Sequence, residues 1–492
     1  MIIAVLLAPI GLPLAAALTY AAVGWHTRTS AWAGVVTTAL LAADALSLAV
    51  TVTRHGPVQA AGGLIRADAL SAWMLLGVAA VALLACWASP AYLSAGHTSP
   101  RSARRYGILL HLFIAAMAAA VLAGNLGVLW VAVEATTIVT AFLVGHERSR
   151  TALEAAWKYV VICSAAIAIA FLGLVLLYYA ARHAGLASDQ ALDWAALTRH
   201  AHQLDPAVTR IAIGLAVLGF GAKAGLVPLH AWLPDAHSQA PAPVSALMSG
   251  VLLPVALYAV LRVKAVADPV LGAGYLRTLL AVLALATLAL AAVLLIGQRD
   301  FKRMLAYSSM EHMGLIALAA AIGSQLAVAA LLLHMAGHGL AKTVAFLSSG
   351  HILHGHHSSR ITDVRALATR MPRLAALFGL AVLALLGFPP AALFASELGI
   401  ARAGADAGLG WATAAAFALV VAAFAAIAVH TASMLLGPVP AADATTGSLP
   451  AAIGAAAAMP LIAGLLGVAA LGITLGPVTN LLHAAAAIVG AP

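Results

Sequence analysis

The sequence predicts an all-α, polytopic membrane protein of about fourteen transmembrane helices, two of them broken part-way through the membrane. Three observations predict it. Of the 492 residues, 64% are hydrophobic and only 8% charged, with a mean hydropathy of +1.04; a soluble domain carries about a quarter charged residues. The charges fall between apolar runs of roughly 20 residues, the length that crosses about 30 Å of hydrocarbon. Two of those runs, GFGAKAGLVPLHAWLPDAHSQAPAPVSALMSGVLL and GFPPAALFASELGI, are interrupted by Pro and Gly beside ionisable residues. Such a break is costly in lipid unless protein or water satisfies the freed backbone groups, so each marks a polar cavity.

Taken in order, runs near 2–23, 31–53 and 69–90 form an N-terminal three-helix segment, residues 1–100. The first reads as a retained helix, since no basic stretch precedes it and no soluble domain follows. Runs near 106–123, 125–145, 155–180, 208–227 and 242–262 fill residues 101–265, and those near 275–297, 304–322, 325–349, 372–400 and 410–436 fill residues 266–440. A last run at 455–482 occupies the C-terminal segment, 441–492. The longest hydrophilic connection, 181–207, contains SDQALDWAALTRHAH, which fits a short amphipathic surface helix. Matching breaks in two halves are the sequence sign of inverted repeats around polar sites near the midplane, and they pair 106–262 with 275–436.

The net charge of +9 resides in the connections, so the partner it implies is the bilayer surface rather than nucleic acid. With the N-terminus outside, thirteen basic residues collect in inner loops: Arg28, Arg101, Arg104, Arg105, Arg148, Arg150, Arg299, Lys302, Arg303, Arg360, Arg365, Arg370 and Arg373. Nine collect outside: Arg54, Arg66, Arg182, Arg199, Arg210, Arg262, Lys264, Arg277 and Arg402. The bias predicts both termini outside a cell inner (plasma) membrane. Cys86 and Cys163 both sit in apolar runs, which excludes a disulfide framework and supplies too few thiolates for an iron–sulfur cluster.

Three lysines then remain as cations within the spans: Lys158, Lys223 and Lys342. A desolvated lysine exchanges its proton where arginine does not, as a relay group must. The acids within the spans are Asp44, Glu134, Glu397 and, nearer an edge, Glu311. Glu134 needs a partner or a wet cavity, and Lys158, across a short loop, is the nearest in sequence. His334, His338 and Lys342 are spaced four and four, so they form one stripe along a helix. Pro228, Pro234, His230 and His237 mark the first break, and Gly387, Pro389 and Pro390 the second, with Glu397 just after it. No metal site is expected: His351, His354, His356 and His357 read as a solvated connector beside arginines. GFGAKAG lacks dinucleotide-binding spacing, and GLAKT has Ala341 where a phosphate loop needs glycine.

The segments VEATTIVTAFLVG, ALEAAWKYVVICS, GFGAKAGLVPLHAWLPDAHSQAPAPVSALMSGVLL, QRDFKRMLAYSSMEHMG, HMAGHGLAKTVAFLSSG and GFPPAALFASELG resemble the antiporter-like subunits of respiratory complex I, membrane-bound hydrogenases and multisubunit Na+/H+ antiporters. The hydrogenase-4 component F type is the nearest branch, and the resemblance runs from about 68 to 437. It implies fourteen helices with two inverted five-helix repeats, and proton movement driven by electron transfer in other subunits. Iron–sulfur clusters, a nickel–iron site or quinone are then expected in those partners, a peripheral redox module and further membrane subunits, and no cofactor in this chain. By motif, Glu134 resembles the key glutamate of the family's fifth helix, Lys158 the sixth-helix lysine, Lys223 the lysine of the broken seventh, Lys342 that of the eleventh and Glu397 the charged residue of the broken twelfth.

Pro254 departs from the pattern, standing where complex I members often carry a lysine or histidine that joins the half-channels. Either water with His230, His237 or His334 bridges the gap, or the route differs; the departure favours the hydrogenase-like branch. The expected function is a proton-translocating subunit of a hydrogenase-like or NADH:quinone oxidoreductase-type complex. The alternative is a multisubunit Na+/H+ antiporter or a proton-coupled inorganic-carbon uptake complex. In the expected mechanism Glu134 is the switch, paired with Lys158 in one state and with Lys223 in the other.

Overall fold

Short polar side chains start half of the membrane spans. In the computed structural model, which describes residues 2–25, 28–96, 98–438 and 453–490, an Asp, Asn or Ser accepts a first-turn backbone amide at seven of the spans. The chain runs through α1 (Ile2–Val23), α2 (Arg28–His55), a small antiparallel hairpin of β1 (Val58–Ala60) and β2 (Ile65–Ala67), α3 (Ala69–Ala95), α4 (Pro100–Val121), α5 (Leu126–Val144) and α6 (Arg150–His183). It continues through α7 (Trp194–Arg199), α8 (Pro206–Lys223), α9 (Trp232–Gln239), α10 (Ala242–Leu247) and α11 (Leu253–Leu271). Then come α12 (Ala273–Ile296), α13 (Phe301–Ile322), α14 (Gln325–His356), α15 (Leu367–Arg370), α16 (Pro372–Leu385), α17 (Ala392–Asp406), α18 (Gly410–Leu436), α19 (Ala455–Ile473) and α20 (Thr479–Val489).

Among the described residues thirteen helices are long and apolar enough to cross a membrane. The broken pair α16 and α17 makes a further span, so the count agrees with the sequence reading. The α10–α11 span and α13 are buried throughout and α14 nearly so, whereas α1, α2, α18 and α19 are a third buried or less. The core is thus a column of three helices with the others around it. Large apolar side chains such as Trp157, Val161, Leu398 and Val429 point outward, as a lipid-facing surface requires.

Both breaks fall where the Gly and Pro residues put them. Helix α8 ends at Lys223, and the chain turns through Gly225 at φ +87° and Pro228 before α9 begins. Between α16 and α17 the turn holds Gly387 at φ +66°, Pro389 and Pro390. Pro234 is a correction: it lies in the first turn of α9, where a missing amide costs nothing, and breaks no helix. The fourth helix of each five-helix set is the broken one.

Three other expectations need correcting. Helix α11 does not stop at Arg262 but continues to Leu271, turning at Gly272 with φ +72°. The boundary expected at 265 therefore falls inside a helix, while that at 440 lies outside the described residues. Arg262 and Lys264, expected in an outer loop, are buried, so the spans hold more cations than three lysines. Helix α14 runs on to His356, so His351, His354 and His356 are helical, with the His354 ring tilted against that of Tyr92 at 4.9 Å. The surface helix expected in 181–207 is α7, six residues long, with Trp194, Ala196 and Leu197 buried.

Arg262 shows how a buried cation is kept. Its guanidinium donates in a fork to Asp68, at 2.8 and 2.7 Å, to Ser71 at 2.9 Å and from Nε to Tyr258 at 2.9 Å. It also lies 4.1 Å over the Trp194 ring. Burial opposes the charge on Asp68, but the charge and hydrogen bonds of Arg262 outweigh it and hold the carboxyl below its ordinary range. Asp68→Ala leaves the guanidinium buried without its carboxylate and is expected to cost about 3–5 kcal/mol, measured as lost thermal stability in detergent. Asp68→Leu combined with Arg262→Met is expected to lose less than Asp68→Ala alone.

Candidate functional site: a buried line of lysines, histidines and carboxylates

The first polar centre forms where α8 ends. Lys223 is completely buried, and its amine donates to Thr137 Oγ1 on α5 at 2.8 Å and to the Tyr159 hydroxyl on α6 at 2.6 Å. Proton bookkeeping fixes the direction of these bonds. Thr140 spends its one hydroxyl proton on the Thr136 carbonyl at 2.6 Å, so Tyr159, 2.6 Å away, donates to Thr140 and accepts from Lys223. The amine also lies 4.6 Å from the Tyr159 ring centroid and 5.9 Å from that of Trp232. Glu134, half-buried on the same helix as Thr137, accepts from Ser164 at 2.9 Å and keeps its other oxygen unpartnered.

The expected Glu134–Lys158 pair is absent. Lys158 is about half exposed and pairs instead with Glu154 at 2.7 Å and Asp235 of α9 at 3.1 Å. Asp235 is also held by Arg303 of α13 at 2.9 Å, and buried Lys302 donates to the Ala240 carbonyl at the end of α9 at 3.0 Å. The short helix inside the first break is therefore clamped by cations from both halves of the chain. Lys302 and Arg303, expected in an inner loop, belong to the first turn of α13.

From α9 the line continues inward. His237 is buried and donates from Nδ1 to the Leu233 carbonyl at 2.8 Å, which leaves Nε2 as its open, unpartnered position. Its ring lies 6.0 Å from Trp232 and 5.8 Å from Phe346 of α14. Next comes a π turn, Met248–Leu252, in which Ser249 shares a 2.7 Å hydrogen bond with Ser309 of α13. The π turn follows from Pro254, which has no amide for the carbonyl four residues back and crowds it. The residue that cannot relay a proton thus reshapes the helix beside the route. His230 stays in the break, half-buried and donating to the Pro228 carbonyl at 3.2 Å, apart from the other histidines.

The second centre lies between α13, α14 and α17. His334, His338 and Lys342 do share one stripe, all fully buried. Lys342 donates to the Leu305 carbonyl at 2.9 Å and to Ser308 Oγ; Ser308 gives its own proton to Leu305. Lys223 and Lys342 therefore each rest on two neutral oxygens. Against the stripe stand two groups assigned no role from sequence, Glu311 and His312, both fully buried. His312 Nδ1 is 3.1 Å from His334 Nε2 and 3.6 Å from Glu311. Glu397 enters from α17, partly exposed, and its carboxylate takes the space that Gly387 leaves by lacking a Cβ.

Of the expected residues, Lys223, His237, His334, His338, Lys342 and Glu397 fall along the buried line, Glu134 flanks its start, and Lys158 and His230 lie off it. Thr137, Tyr159, Ser308, Glu311 and His312 were not assigned from sequence. Their signal was present only in the quoted segments VEATT, LEAAWKY and YSSMEHMG.

The transmembrane family described as NADH:quinone oxidoreductase/Mrp antiporter matches residues 123–424, from α5 to α18. The chain is 40% identical over 302 residues to "Hydrogenase-4 component F homolog" of Methylacidiphilum infernorum, a match covering 61% of this chain and 63% of that protein. It is 33% identical over 385 residues to "NADH-quinone oxidoreductase subunit N" of Desulforudis audaxviator, covering 75% and 74%. Its fold superposes on a chain of an archaeal membrane-bound sulfane sulfur reductase with a TM-score of 0.88 at 27% identity, over 99% of this chain and 98% of the other. On the matched spans and the shared fold, the chain belongs to the NADH:quinone oxidoreductase/Mrp antiporter transmembrane family.

Proposed function

We propose that this chain is a proton-translocating membrane subunit of a hydrogenase-like or quinone-reducing complex. Protons pass along the line from Lys223 to Glu397 and are driven by electron transfer in partner subunits that hold the iron–sulfur, nickel–iron or quinone chemistry. The observation that carries this reading is the line itself. Two fully buried lysines, each on neutral oxygens, share the interior with buried His237, Ser249, Ser309, His338, His312 and His334, among which Ser249 bonds Ser309, His312 bonds His334 and the His312 and His338 rings meet at 4.8 Å. Ionisable groups inside a membrane are expensive and mark ion or proton pathways, and a structural scaffold has no use for so many. The basic bias of the connections and an even number of crossings support both termini lying outside the inner membrane.

Glu134 remains the switch, with a different resting partner from the one expected. It is parked on Ser164, and turning towards Lys223 brings a carboxylate to an amine that now has only hydroxyls. At an effective dielectric near 20 and a separation of about 4 Å, the pair is worth roughly 4 kcal/mol, about a thousandfold in the amine's proton occupancy. Ser164 and Thr137 are the two side chains the carboxylate and the amine exchange for each other.

Lys223→Ala and Lys342→Ala are each expected to lower proton translocation by the intact complex at least about tenfold; full pumping by either variant would overturn the reading. Glu134→Gln, which cannot supply the anion, is expected to lose coupling while leaving the complex assembled. Lys158→Ala removes only the half-exposed pairs with Glu154 and Asp235, which solvent screens, and is expected to change flux less than threefold, as measured in proteoliposomes. Purification from native membranes with identification of every companion checks the driving reaction. A nickel–iron or quinone-reducing module supports it, and small membrane subunits alone indicate an antiporter complex.

A further inference from the structure

The second polar centre holds more unbonded lone pairs than a proton line needs. Among the described residues His312 Nε2, both ring nitrogens of His338, both oxygens of Glu311 and Glu397 Oε1 are buried without a hydrogen-bond partner. His312, His338 and Glu311 are fully buried, so each of these atoms carries the cost of an unmet polar group. Such a concentration points to a ligand.

The protonation pattern says which kind. Ser396 donates its only hydroxyl proton to the Leu393 carbonyl at 2.8 Å, so towards His334 Nδ1, 2.9 Å away, it can only accept. His334 therefore carries its proton on Nδ1 and presents Nε2 as a bare lone pair. His312 Nδ1 faces that lone pair at 3.1 Å, and one ligand atom each from His312, His334 and Glu397 lie within 4.8 Å of one another. A tetrahedral ion with bonds near 2.05 Å to nitrogen needs ligand atoms about 3.3 Å apart. The two histidines already stand at that spacing, and a rotation of the Glu397 side chain, beside the gap at Gly387, supplies the carboxylate.

We propose that His312, His334 and Glu397 form a binding site for a divalent transition-metal ion of the Zn2+ class, joining α13, α14 and α17. Two imidazole nitrogens and one carboxylate oxygen are a donor set suited to zinc, and the fourth position falls to water or to His338, whose ring is 4.8 Å from that of His312. His312 moves its single proton from Nδ1 to Nε2 when the ion takes the place of the histidine–histidine hydrogen bond, so no proton is released. Ser396 orients His334 from behind through Nδ1–H, as an outer partner of a metal-bound imidazole does. The ion arrives past Glu397, the one ligand that is partly exposed. Once bound it immobilises three groups at the outer end of the line, so Zn2+ acts as a reversible plug. That consequence rests on the proton-carrying reading above; the binding does not.

The test is Zn2+ titration of the intact native complex, read by chelator competition and by X-ray absorption at the zinc edge. One ion per copy of this chain, with a shell of two imidazole nitrogens and a carboxylate oxygen, is the expected result. Ser396→Ala, a small change that keeps the fold, is expected to weaken binding about 10–100-fold, and Glu397→Gln and His334→Ala to weaken it further. Unchanged affinity in Ser396→Ala and Glu397→Gln, or loss of the ion in His354→Ala at the far end of α14, would overturn the site. Bound zinc that leaves proton flux untouched would keep the site and count against the proton line. Absence of binding in a complex whose Lys342→Ala variant no longer pumps would remove the site alone.

Discussion

In hydrocarbon every backbone amide and every charge must be met from within the protein, and the two broken helices exist only because that demand is satisfied side by side with them. At the first break, α9 is fixed by Lys158 and Arg303 on Asp235 and by Lys302 on the Ala240 carbonyl, while Trp232 donates back to the Ala222 carbonyl of α8 at 3.1 Å. At the second, α19 closes over the turn: a Cβ on Gly472 would collide with the backbone of Pro390 and Ala391. The free ends so created are what allow Lys223 and Glu397 to sit at membrane depth. Break, clamp and ionisable residue form one device, used twice.

The halves meet backbone to backbone. A Cβ on Gly250 would lie 2.9 Å from the Gly339 carbonyl oxygen, and one on Gly339 2.7 Å from that of Gly250. Only glycine permits this approach, and it occurs within the π turn that Pro254 produces. The turn also brings Ser249 to Ser309. Pro254 therefore leaves no titratable side chain at the position and, through backbone geometry, sets the helix against its neighbours closely enough for Ser249 to bond Ser309. The proline that argued against continuity from sequence thus shapes the close approach of the two halves in the fold.

Much of this was legible because the membrane imposes simple rules. Run lengths located the spans, Gly and Pro located the breaks at 225–228 and 387–390, and a spacing of four put His334, His338 and Lys342 on one face. The errors have physical causes. Glu134 and Lys158 are on helices that do pack antiparallel, but the side of α6 that meets Glu134 is marked by Ser164, six residues or about 240° of helical rotation from Lys158. Arg262 looked like a helix end because hydropathy falls there, although its bidentate partner Asp68, 194 residues away, makes burial tolerable. Glu311 and His312 were visible as letters and mute as a site, since a single acid or histidine on one helix acquires meaning only from what α14 and α17 bring against it.

The two lysine centres are unequal, and on the proposed reading the inequality gives the line a direction. Lys223 sits among hydroxyls and aromatic faces with Glu134 held off on Ser164, so its environment changes only when that one carboxylate moves. Lys342 shares its helix face with His334 and His338, and the centre against that face adds His312, Glu311 and Glu397, several of these groups with open lone pairs. A proton or cation arriving there meets many alternative acceptors at once and is held by the group rather than by the lysine alone. A site with one movable counter-charge suits a gate, and a site with many shared acceptors suits a reservoir next to an exit. On that reading the path from Lys223 through His237 and the π turn to Glu397 runs from the centre that can be switched to the centre that can store, with Glu397, partly exposed on α17, as its exit.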